Sequence, residues 1–226
     1  MNNIEKSVNV ARVAGRVCSE ITKSHEIEGE NFFEFKVEVE RLSKIKDIVP
    51  VTISERTLAG AEIKVGDFME LSGEYRSYNK LFGEKSRLIL HLFAKDFEIK
   101  SGECEFMNEV ALTGFICKDT VFRKTPFERE ICDVLLAVNR MNNRKSDYIP
   151  CIMWGRNARF IASQGVGSKV EIVGRIQSRE YSKTLEDGTV ENKTAYEVSC
   201  QKVAILENVV AIEPGKRKSD DREILA

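Results

Sequence analysis

Apolar and polar residues alternate with a period of two through most of the chain, and this alternation falls into two sets. It predicts strands near 8–18, 32–42, 48–54, 67–77 and 87–98, then near 108–118, 130–140, 147–154, 169–181 and 194–206. Short helices are expected around 55–63 and 156–163, each between the third and fourth strand of its set. The stretch from Lys183 to Lys193 contains Asp187-Gly188, a hairpin-turn signal between two long strands.

The two sets are copies of one unit. Val8-Asn9 through Gly15-Arg16-Val17-Cys18 falls on Met107-Asn108 through Gly114-Phe115-Ile116-Cys117. Phe35 to Arg41 falls on Val134 to Arg140, Val49-Pro50-Val51 on Ile149-Pro150-Cys151, and Gly66 to Gly73 on Gly167 to Gly174. Five strands with a helix between the third and fourth describe a Greek-key barrel of the OB type. The expected fold is therefore all-β with short helices, as two tandem OB-fold five-stranded barrels. Gly15, Gly73, Gly114 and Gly174 are expected where the strands bend to close each barrel. The expected domains are 1–102, 103–212 and a mobile tail over 213–226, with a junction at Lys100 to Phe106 too short to hold the barrels far apart.

Candidate chemistry concentrates in the second copy. From Asp147 to Phe160 the alternation sets Tyr148, Ile152 and Trp154 on one side, against Ile149, Cys151 and Met153 on the core side. Trp154 is the single tryptophan, and Arg156 and Arg159 follow it directly. Flat rings beside guanidinium groups on an open sheet suit nucleobase stacking with phosphate neutralisation; a core-filling indole is the alternative reading. On the fourth strand, Arg175, Gln177, Arg179 and Tyr181 share a face opposite Val170, Ile172 and Ile176. That face suits a polar, negative ligand, or else is an ordinary solvated surface. Arg140, Arg144 and Lys145 could extend the basic track from one side, and Lys183 and Lys193 from the hairpin.

Composition adds limits. The 226 residues are 42% apolar and 31% charged, with a net charge of -1, so a basic groove must be local in an otherwise neutral molecule. Six cysteines and two histidines include no Cys-x-x-Cys or paired-histidine spacing, so no metal and no cofactor is expected. The start carries no secretory pattern and no stretch has the apolar length of a membrane span, which implies a cytoplasmic protein with reduced thiols. No phosphate-binding glycine loop or nucleophile elbow occurs, and no enzymatic activity is expected.

Asn108 through Leu206 resembles a bacterial single-stranded DNA-binding protein of the replication type. The resemblance rests on Asn108-x-x-x-Leu112-x-Gly114, Leu136-Ala137-Val138-Asn139-Arg140, Ile152-Met153-Trp154-Gly155-Arg156-Asn157-Ala158, and the run Val170 to Tyr181. It implies that Tyr148, Trp154 and Tyr181 stack bases, while Arg140, Arg156, Arg175 and Arg179 follow the backbone. A further stacking position of the family falls near Asn142 here, without a ring. The first copy has Ile48 and Ser54 where the second has Tyr148 and Trp154; Tyr75, Tyr78 and Phe82 are candidate substitutes. It is expected to bind weakly or to serve mainly in assembly. The resemblance further implies four barrels per assembly, hence a homodimer, and replication proteins as partners, although Asp220 to Ala226 only faintly matches the family's acidic tail. The function it implies is sequence-tolerant binding and protection of single-stranded DNA in replication, recombination or repair. An assembly or primosome-type accessory role through protein contacts, and RNA binding by the same stacking surface, are the alternatives.

Overall fold

The computed structural model describes residues 9–83, 85–102, 104–140, 145–184 and 188–207, without the side chains of Lys85 and Lys183. The expected tail, Arg144, Asn142 and the turn residue Asp187 lie outside them. The first unit runs β1 (Asn9–Val17), β2 (Thr22–Ile27), β3 (Glu30–Glu40), β4 (Lys46–Ser54), α1 (Glu55–Leu58), β5 (Phe68–Phe82) and β6 (Lys85–Lys100). The second repeats that order: β7 (Met107–Ile116), β8 (Val121–Lys124), β9 (Glu130–Asn139), β10 (Ser146–Trp154), α2 (Gly155–Ala162), β11 (Lys169–Thr184) and β12 (Val190–Glu207).

Each unit closes on itself. In the first, β1 pairs with β3 and β5, β3 with β4, β4 with β6 in parallel, and β6 with β5. The second closes through β7–β9, β9–β10, parallel β10–β12, β12–β11 and β11–β7. Inward positions at the centre of each barrel are apolar: Val49, Val51 and Ile53 on β4 match Ile149, Cys151 and Met153 on β10, all nearly or fully buried. Burial of this alternating face stabilises the barrels by about 25 cal/mol per Å² of apolar surface removed from water.

Two strands went unpredicted. Every residue of β2 and of β8 is exposed, so neither has the alternation that marks a strand with one buried face. Helix α1 is shorter than expected because Ala59 and Gly60 turn left-handed and end it after one turn. The hairpin arms β5–β6 and β11–β12 run beyond the core, where burial no longer marks the period.

Gly73 and Gly174 occupy equivalent bulges, at register shifts in the β5–β6 and β11–β12 ladders. A Cβ on Gly174 would collide with the Ser199 carbonyl oxygen, a backbone atom that cannot step aside. Gly174→Ala is expected to cost about 1–3 kcal/mol, seen as a lower urea midpoint with an unchanged slope.

The barrels are joined by an antiparallel β1–β7 ladder, with Val10 opposite Ala111 and Arg12 opposite Glu109. Around it lies a reciprocal seam. Asp47, fully buried, accepts two hydrogen bonds from Arg41 (2.6 and 2.5 Å) and one from the Ser178 amide (3.0 Å). Ser178 Oγ in turn accepts from the Ile48 amide at 2.8 Å. Its counterpart Asp147, also fully buried, accepts two from Arg140 (2.8 and 2.6 Å) and one from the Ser77 amide (2.7 Å). Ser77 Oγ accepts from the Tyr148 amide at 2.7 Å. The duplication thus built a two-fold contact between its own halves.

Candidate nucleic-acid interface

The outer face of the second barrel is a curved sheet of β9, β10, β12 and β11. Trp154 stands at the end of β10, where Gly155 takes a positive φ of 54° and α2 begins. The indole is 37% exposed, Tyr148 is 44% exposed and Tyr181, on the hairpin arm of β11, is 40% exposed. Trp154 occupies the N-cap of α2 but makes no capping hydrogen bond, whereas its counterpart Ser54 accepts one from the Thr57 amide. A serine cap is commonly worth about 1 kcal/mol. The second barrel forgoes that stabilisation and presents a large ring to solvent.

Alternation on β11 places Arg175, Gln177, Arg179 and Tyr181 outward and Val170, Ile172, Gly174 and Ile176 inward. Arg179 lies 5.8 Å from the Tyr181 ring centroid, so a cation flanks that platform. Arg156 and Arg159 are exposed on α2, and Arg159 pairs with Glu130 at 3.0 Å. Lys145 is exposed just before β10. Two acids on the face, Asp133 and Glu197, are already engaged. Asp133 receives two hydrogen bonds from Arg123 (2.7 and 3.2 Å), and Glu197 receives one from Gln177 (3.1 Å). Burial pushes the Glu197 carboxyl above the usual carboxylate range, against the pull of Arg179. The open cationic character of the face therefore comes from Arg179, Arg156 and Lys145.

Two arginines of the expected backbone track are used otherwise. Arg140 grips Asp147 and donates to the Ser77 carbonyl at 3.1 Å, which turns it toward the first barrel. Its guanidinium donors serve the seam between barrels. Arg175 is half-buried at the opposite seam, with Nε 4.0 Å from an Asp47 oxygen and Nη2 donating to Gln177 at 3.1 Å. Burial, and then Arg41, push its pKa below the ordinary guanidinium value. The pairing of Arg140 with Asp147 was not legible from residues seven apart across a loop. Arg144 and the side chain of Lys183 lie outside the described residues.

The first barrel is not bare of rings. Tyr75, a candidate substitute, is wholly buried in the core, a correction due to its inward parity on β5. Tyr78 and Phe82 are exposed, and Phe82 is flanked by Lys80 and Arg87 at 5.7 and 5.1 Å. A further cluster, Phe32, Phe93, His25 and His91, escaped sequence reading because its members are drawn from three strands, β2, β3 and β6. His25 stacks on Phe32 at 4.8 Å, and the Arg76 guanidinium lies 4.0 Å from the Phe93 centroid.

Two closed barrels in tandem, with exposed rings beside cations on both, define a double OB-fold protein. Residues 107–206 match the model of the single-strand binding protein family. Single-stranded DNA-binding protein 1 of Streptococcus agalactiae serotype III is 31% identical over 119 residues, covering 50% of this chain and 71% of that protein. The chain belongs to this family. Single-stranded DNA-binding protein 3 of Streptococcus agalactiae serotype V is 36% identical over 81 residues, which span 33% of this chain and 59% of that relative's length. The fold is also that of the wild-type single-stranded DNA binding protein from Thermus aquaticus. That structure superposes with a TM-score of 0.69 over 92% of this chain and 97% of the other, at 16% identity.

Proposed function

We propose that the chain binds single-stranded DNA with little sequence preference through the second barrel, protecting exposed strand in replication, recombination or repair. The observation that carries this reading is the set Tyr148, Trp154 and Tyr181, each more than a third exposed on one outer face. Bases stack on these rings, and Arg156, Arg179 and Lys145 neutralise phosphates. Duplex DNA competes poorly, because its bases are already stacked on one another.

The test is titration with oligo-dT at low salt, following the emission of the single tryptophan. Quenching at saturation supports the reading; binding with unchanged emission would place the site elsewhere. Arg179→Ala and Arg156→Ala should each flatten the dependence of log affinity on log salt by about 0.7 for every phosphate that is no longer neutralised. Arg140→Ala should leave that slope unchanged and lower stability instead, since its partner is Asp147.

Four barrels in a homodimer extend the proposal. The outer side of the joined sheet is open, with Val10, Ala111 and Val173 in register at its centre. Val10 is 43% exposed there. Light scattering should give twice the 25.7 kDa chain mass; a monomer at micromolar concentration would remove this part of the proposal.

A further inference from the structure

The outer face of the first barrel carries a concave groove of about 400 Å³, with Tyr78 and Ile89 on one wall, Glu34 and Glu20 on another, and Thr52 and His91 among its lining. Its make-up differs from the face of the second barrel. The Tyr78 ring meets His91 nearly at right angles, at 5.4 Å and 82°, and remains 39% exposed. His91 Nδ1 is hydrogen-bonded to Thr52 Oγ1 at 2.5 Å, while Nε2 has no hydrogen-bond partner among the described residues. Burial, and then Arg76, hold the imidazole far below its ordinary pKa, at about 4, so it is neutral at pH 7 and offers Nε2 as donor or acceptor. Glu34 accepts from Ser24 through one oxygen at 3.1 Å, and its other oxygen has no partner among the described residues.

Glu20 and Glu34 outnumber the one lining cation, Lys36, so these carboxylates disfavour a phosphate in the groove. They favour a ligand that is flat, uncharged and supplied with N–H donors. The neighbouring cluster does not compete for such a ligand, because Phe32 and Phe93 already have ring faces covered by His25 and Arg76. We infer that this groove takes one unstacked nucleobase bearing an exocyclic amino group, stacked on Tyr78 and held at its edge by His91 Nε2 and Glu34. A carboxylate accepts from the amino group of cytosine, whereas thymine would present a carbonyl oxygen to it. Counterpart positions in the second barrel hold Arg179 in place of Tyr78 and Glu197 in place of His91, so this site is specific to the first barrel. The chain would combine a tolerant barrel with a selective one.

This inference rests on the single-stranded DNA reading, and one experiment separates the two. Oligo-dC and oligo-dT of equal length are titrated against the full chain at neutral pH, following tryptophan emission and the anisotropy of a labelled strand. The expected result is a preference for oligo-dC of about tenfold in affinity. Tyr78→Ala, and His91→Phe, which keeps a ring in place, should each abolish that preference and leave oligo-dT quenching of Trp154 intact. Equal affinities in the wild type, or a preference that survives both variants, would overturn the groove assignment. Loss of quenching with a surviving oligo-dC preference would overturn the second-barrel reading alone.

Discussion

Trp154→Ala is expected to weaken oligo-dT binding by roughly 1–3 kcal/mol, about 5- to 150-fold, whatever the base composition of the strand. The indole is 37% exposed at the end of β10 and supplies no helix cap, so its removal costs little folding stability. A change of about 1 kcal/mol in unfolding free energy is anticipated, from the part of the ring that is packed against the barrel. The pairing of a large binding loss with a small stability loss is the distinguishing result. Because the variant lacks the intrinsic reporter, affinity is measured by the anisotropy of a labelled strand. Trp154→Phe keeps a platform of smaller area and should fall between the two. Unchanged affinity in the alanine variant would remove the ring from the interface.

The outward rings were legible because a strand imposes parity. Once Ile149, Cys151 and Met153 are inside, Tyr148 and Trp154 must face out, and the same logic assigns Arg179 and Tyr181 on β11. Ile152 shares that outward parity yet is only 5% exposed, so parity alone did not place it. The barrels themselves were legible because the duplication repeats both the alternation and the glycines of the bulges. Arg140 and Arg175 resisted the same treatment. Parity tells which side of a strand a guanidinium leaves from, and nothing about the acid that meets it there, Asp147 for Arg140 and Asp47 of the other barrel for Arg175. The groove of the first barrel was hidden for a related reason: Thr52, Tyr78 and His91 lie on three strands, and only the closed barrel brings them together. Strands β2 and β8, solvated on every residue, left no period to read.

Asp147→Ala should be strongly destabilising, at roughly 3–5 kcal/mol. Its carboxylate is fully buried and accepts from Arg140 twice and from the Ser77 amide. Truncation leaves a guanidinium and a backbone N–H without their acceptor at the junction of the barrels, where little water can replace it. Since domains are commonly stable by only about 5–15 kcal/mol, the loss should appear as a large drop in urea midpoint. The double variant Asp147→Ala with Arg140→Met should recover part of it, because no uncompensated charge remains. Recovery would identify the penalty as a stranded charge; a double variant as unstable as the single one would identify it as lost packing. Binding should respond too. Ser77 accepts from the Tyr148 amide, so loosening Asp147 also loosens the strand that carries a stacking ring. In a cycle with Tyr148→Ala, the two losses in oligo-dT affinity should then sum to more than the double variant shows. Strict additivity would mean that the seam holds the barrels together without positioning the ring.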